Sequence, residues 1–155
     1  MNLSKHLADQ FREVYLNGHW IANTNIKDQL SDVTWEQATT KVGSSNTLAA
    51  LAFHINYYVA GMLNVFEGGS LDIRDKYSFD LPPFKSQTDW QQLLDKSWSD
   101  AEKFANLVEQ MPDEKLWDVF VDEKYGNYYR NIIGMIEHTY YHMGQMVLIK
   151  KLLAI

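Results

Sequence analysis

Cysteine is absent from these 155 residues, which removes disulfides, a thiolate nucleophile, cysteine-type zinc sites and iron–sulfur clusters. Proline and glycine are sparse, at 3 and 8, which argues against a many-turned sheet and suits long helices. Positive charge is also short. Lys and Arg total 14 against 20 Asp and Glu, and the only arginines are Arg12, Arg74 and Arg130. A net charge of -6 without a basic stripe repels a phosphate backbone, so nucleic acid is not an expected partner. No run of about eighteen apolar residues occurs, so no membrane span is expected. The opening stretch from Met1 to His6 lacks the apolar core of a signal peptide, and a cytoplasmic location is the expectation.

What is present is aromatic and periodic. Aromatic residues make up 14% of the chain, including nine Tyr and five Trp, enough to dominate a core. At this length a single domain over residues 1–155 is expected, able to bury roughly two-thirds of its unfolded surface without a staple. Four long segments carry helical spacing. The first, from about Ser4 to Leu30, repeats Leu3, Leu7, Phe11, Val14 and Tyr15, with Ser4 as its N-cap and a weak point at Gly18 and Asn23–Asn25. Asp32 or Thr34 is expected to cap a short turn near Trp35.

The second segment follows the cap-rich Gly43–Asn46 and runs to about Glu67, before Gly68 and Gly69. The third runs from about Thr88 to Met111, stopped by Pro112, with Trp90, Leu93, Leu94, Trp98, Ala101, Ala105 and Val108 along one stripe. Asp118–Asp122 alternates like a short strand before a turn at Lys124–Asn127, and the fourth segment runs from about Asn127 to Leu153. The fold class expected is all-α, a four-helix bundle. The 68–87 connection holds about twenty residues, which at about 3.3 Å each can cross a helix some 33 Å long. It therefore allows the second and third helices to run parallel.

Of five histidines, His6 and His19 have no evident partner. His138 and His142 stand four apart in the last segment, so their side chains point the same way one turn apart, a spacing that lets two imidazoles share one metal ion. A zincin protease requires Glu directly after the first His, and Thr139 occupies that place. The paired Glu-x-x-His motifs of a di-iron site are missing as well. His54 sits midway along the second segment on a largely apolar face, where an isolated imidazole needs a partner. Three neutral imidazoles meeting at one ion would satisfy all three and leave coordination positions open. Three imidazoles suit zinc, nickel, iron or copper. Tyr58 and Gln145 fall on the same faces as the histidines. The last helix is apolar nearly all round, as expected of one covered by its own bundle and by a second subunit.

A histidine in the middle of the second helix, followed by His138-Thr139-Tyr140-Tyr141-His142-Met143-Gly144-Gln145 on the last, resembles the DinB-like (YfiT-like) metal-binding superfamily. The resemblance covers essentially the whole chain, including the crossover. It implies an up-down-down-up four-helix bundle, often a homodimer, with a divalent metal held by His54, His138 and His142, zinc or nickel being the expected ions. Several members use a low-molecular-weight thiol as cosubstrate, so the resemblance implies a metal-dependent thiol S-transferase or hydrolase-like enzyme acting on small molecules. The rival expectation is a non-catalytic metal- or ligand-binding bundle.

Overall fold

A computed structural model describes residues 2–155; Met1, first residue of the expected domain, lies outside the described residues. The described chain is all-helical, with six α-helices: α1 (Leu3–Arg12), α2 (Ile26–Leu30), α3 (Trp35–Thr39), α4 (Leu48–Phe66), α5 (Gln87–Gln110) and α6 (Tyr128–Leu153). Short side chains close the open amides at their starts. Thr47 accepts from the Ala50 amide, Ser86 from Asp89 and Asn127 from Arg130, each three residues on. Thr34 and Gln37 cap α3 reciprocally, so Thr34 is the cap there and Asp32 is not. Asp32 instead takes the Lys150 ammonium at 2.8 Å, and Lys150 also donates to the Gln29 carbonyl, tying α6 to the short helices.

Two expectations about local structure are corrected. The cap of α1 is Asn2, whose side chain accepts from the Lys5 amide, while Ser4 is buried inside the helix. The Asp118–Asp122 alternation forms no strand. A single bridge joins Val119 to Asn127, because Phe120 turns into the core and leaves Val119 and Val121 exposed. The break expected in the first segment is real. After α1 the chain widens into a π-turn over Glu13–Asn17 and then leaves the helix at Gly18, where a Cβ would collide with the Glu13 Cα.

One apolar cluster gathers residues from every helix. Phe11, Trp90, Phe104, Leu48, Ile55 and Ile132 are all fully buried within it. At roughly 1.5–3 kcal/mol for each large apolar side chain removed from water, this cluster holds the helices together. Helix α5 packs against α1 and α4, and α6 packs against α4 and, more lightly, against α1. The expectation that no segment matches a membrane span is corrected for α4, which is long and apolar enough. Two-thirds (67%) of that apolar window is buried, and α5, α6 and the crossover provide the cover.

The connection between α4 and α5 folds back along α4. Asn64 donates to the Ser70 carbonyl, Ile73 packs onto Gly61, and the Tyr57 hydroxyl bonds both the amide and the carbonyl of Arg74. A Cβ at Gly61 would stand 2.6 Å from Ile73, so glycine is what lets the crossover lie so close. The connection reaches His54 before it turns into α5, and this path builds one wall of the site described next.

Candidate metal centre

The i,i+4 pair on α6 and the histidine of α4 meet between the two helices. Nε2 of His138 lies 3.1 Å from Nε2 of His54 and 2.9 Å from Nε2 of His142. No other histidine or carboxylate completes this group among the described residues. His19 lies elsewhere and has a partner after all, Asp28 at 2.7 Å on the surface. Thr139 uses its hydroxyl on the Met135 carbonyl within its own helix, so it has no free role beside the pair.

The other ring nitrogens fix the tautomers. Nδ1 of His142 is 2.7 Å from the Gln145 carbonyl oxygen, and Nδ1 of His54 is 3.3 Å from the Ser78 carbonyl. Both acceptors require an N–H at Nδ1, which places the lone pairs of His54 and His142 on Nε2, facing His138. This is the arrangement in which a histidine ligand is oriented by the bond its other nitrogen makes.

His54 and His142 are buried and His138 is half-buried, and this environment disfavours the charged imidazole. Burial pushes His138 down to about 4, with the neighbouring His142 and His54 adding to the effect. His54 is also lowered, by burial first and by His142 second. His142 is lowered by burial, against the opposing bond from Gln145. All three rings are therefore neutral at pH 7, the form in which imidazole binds a metal.

The donor set fits a divalent ion. Two nitrogens each about 2.0–2.1 Å from one ion can stand no more than about 4.2 Å apart; the two separations from His138 fall inside that limit, and all three donor atoms lie within 4.8 Å of one another. Without an ion, a proton on Nε2 of His138 would have to serve two lone pairs at once.

Aromatic rings frame the cluster. Phe79, from the crossover, stacks on His54 at 4.0 Å with 10° between planes, and Tyr58 stands nearly perpendicular to His54 and His138 at 5.1 and 5.3 Å. The Tyr58 hydroxyl donates to Asp75 at 3.0 Å. On the far side of His138 opens a cleft of about 390 Å³ lined by Tyr58, Arg130, Asn131, Gly134, Met135 and His138.

All three histidines singled out in the sequence thus come together. Gln145, which shares their face, orients His142. Ser78, Phe79 and Asp75 were missed, because they sit in the irregular connection, where no periodicity signals which side chain returns to α4. The class of molecule so defined is an all-helical protein with a three-histidine group able to hold a metal ion. No protein-family model matches the chain, nor does any curated protein or any solved structure.

Proposed function

We propose that this chain is a DinB-like metal protein in which His54, His138 and His142 hold one divalent ion, zinc or nickel, and that it transfers a low-molecular-weight thiol to a small electrophile. The observation that carries the reading is the convergence of three neutral imidazoles, two of which, His54 and His142, have their outer nitrogens held by Ser78 and Gln145. A bound divalent ion lowers the pKa of a thiol or water at its open position and so supplies a nucleophile at neutral pH. The reaction joins the thiol sulfur to an electrophilic carbon, the leaving group departing with its electron pair and the thiol proton passing to water. In this reading the three histidines grip, Gln145 and Ser78 keep the rings aimed, and Phe79 shields His54 from solvent.

The rival reading, a non-catalytic structural ion, calls for a closed shell of four protein ligands. The open cleft beside His138 and the lack of a fourth ligand among the described residues favour chemistry.

The topology that accompanies this reading is up-down-down-up. Supporting it, Asn56 meets Asp100 and Phe66 meets Phe104, so α4 and α5 advance together. By contrast, Phe11 meets Phe104 and Tyr15 meets Trp98, while His54 meets His138 and Phe66 meets Tyr128, so both of those pairs run opposed. A homodimer through the outer face of α6 also belongs to the proposal, supported by Tyr141, Leu148 and Leu152, which lie exposed along one stripe.

The test is elemental analysis of the untagged protein beside His54→Ala and His142→Ala. About one transition-metal ion per chain in the parent and none in either variant, with helical circular dichroism kept, is the expected result. A folded parent chain that takes up neither zinc nor nickel would sink the reading.

A further inference from the structure

Arg130 stands where local electrostatics disfavour it. It lies in the first turn of α6, where the helix dipole makes a cation unwelcome, and among the described residues it makes no ion pair. Arg12, by comparison, bonds Asp9, Asn106 and Glu109. The stem of Arg130 lies over Gly126, where φ is +75° and a Cβ would come within 2.8 Å of it. The conformation of the preceding turn therefore helps fix where the guanidinium goes. Both Arg130 and His138 line the cleft described above.

Arg130, Gly134 and His138 follow one another at intervals of four along α6, so they share a slowly drifting stripe. Their spacing of eight residues is about 12 Å along the helix axis. Glycine in a helix interior costs stability relative to alanine, and it is usually kept where a neighbour crowds it. Nothing crowds Gly134, since a Cβ built there meets no atom within 4 Å. What glycine leaves at that position is a bare floor between the arginine and the imidazoles.

We propose that this cleft binds a small carboxylate-bearing molecule, its carboxylate held by Arg130 and its other end laid over Gly134 toward the three histidines. A forked guanidinium matches a carboxylate edge to edge. A single guanidinium lining the cleft of a chain of net charge -6, with Asp75 on the Tyr58 hydroxyl at the cleft wall, suits a single carboxylate better than a phosphate dianion. The inference deepens the thiol-transfer reading by giving the substrate an acidic end, and it rests on that reading only for what the other end meets.

The test separates the two. Metal-free protein labelled with ¹⁵N is titrated with hexanoate and, in parallel, with hexanol, following the amide signals of Asn131 and Gly134. Saturable shifts with hexanoate, about tenfold weaker or lost with hexanol and in Arg130→Gln, are expected, with Arg130→Lys retaining part of the response. Equal responses in the parent and Arg130→Gln, or none to hexanoate, would overturn the proposal whether or not metal binds. In zinc-loaded protein, calorimetry should then show mercaptohexanoate binding about tenfold tighter than mercaptohexanol, the advantage vanishing in Arg130→Gln. An equal affinity of the two thiols would refute the bridge between arginine and histidines. Gly134→Leu should lose hexanoate binding and keep its zinc; undiminished hexanoate binding in that variant would place the ligand elsewhere and overturn the proposal. Failure to load zinc at all would remove the metal reading and leave the hexanoate result to decide this one.

Discussion

Between α1 and α5 the chain buries rings against rings: Phe11 stands 4.5 Å from Phe104 and 5.3 Å from Tyr15, and Tyr15 meets Trp98 edge-on. Between α4 and α6 it buries imidazoles against imidazoles, at 5.0 Å for His54 and His138 and 4.7 Å for His54 and His142. The two seams use similar helical spacing and similar separations between rings. They differ in what each ring needs. A phenyl ring is satisfied by dispersion and by leaving water. An imidazole carries a lone pair and an N–H that must each find a partner, so the second seam recruits Ser78 and Gln145 and still leaves nitrogens facing one another. One seam is complete as it stands; the other leaves three imidazoles able to hold a metal ion.

Breaking the dry seam should have the largest effect. Phe104→Ala removes a fully buried ring and is expected to cost about 3–5 kcal/mol, read by urea unfolding. If the seams are energetically separate, zinc per folded chain stays unchanged below the transition. Parallel loss of zinc and stability would show that the seams act as one.

Gln145→Ala sharpens the contrast from the polar side. Without its oxygen, His142 loses the bond that fixes its tautomer, and zinc affinity should fall roughly 10- to 100-fold in competition with a chelator. Thermal stability of the metal-free chain should change little. A variant that binds zinc as tightly as the parent would mean that packing alone aims the ring.

The smallest effect concerns the polar clasp at the end of the dry seam. Asp113, just beyond α5, accepts the amides of Leu3 and Ser4 at 3.0 and 2.9 Å and so closes the start of α1. Those bonds hold its carboxyl below the usual aspartate range. Because the folded pKa is depressed, the stabilisation is present above the unfolded value, near 3.9, and is lost as pH falls through the folded one. Asp113→Asn should therefore be less stable than the parent at pH 7, with the gap closing in strong acid. A gap that stays constant with pH would rule out the charge as its source.

The same contrast explains what could be read from the residues alone. The ends of α4, α5 and α6 were legible within a residue or two from the Gly43–Asn46 cluster, Pro112 and Asn127, because such signals act on neighbours a few positions away, although the caps of α4 and α5 proved to be Thr47 and Ser86. The three histidines were legible because two of them follow helical spacing and the third sits mid-helix on an apolar face. Asn2 was passed over as a cap for Ser4, since either side chain suits that role and only the start of α1 decides. Phe120 defeated the strand reading because its burial depends on Tyr128, beyond the turn, and on Phe66, remote in sequence. Ser78 and Phe79 depend on the route of the crossover, which follows from Gly61 admitting Ile73 and not from any repeat.

That route has a consequence for how the chain assembles. His54 and His138 are 84 residues apart, and Ser78 lies 24 beyond His54, so no contiguous fragment shorter than that span contains the cluster. The contacts that make the centre are long-range, as are those of Phe11 with Phe104 in the dry seam, and closing loops of such length carries an entropic cost. The imidazoles meet only after α4, the returning connection and α6 are in register, so a chain able to grip an ion at this place has already joined those three parts.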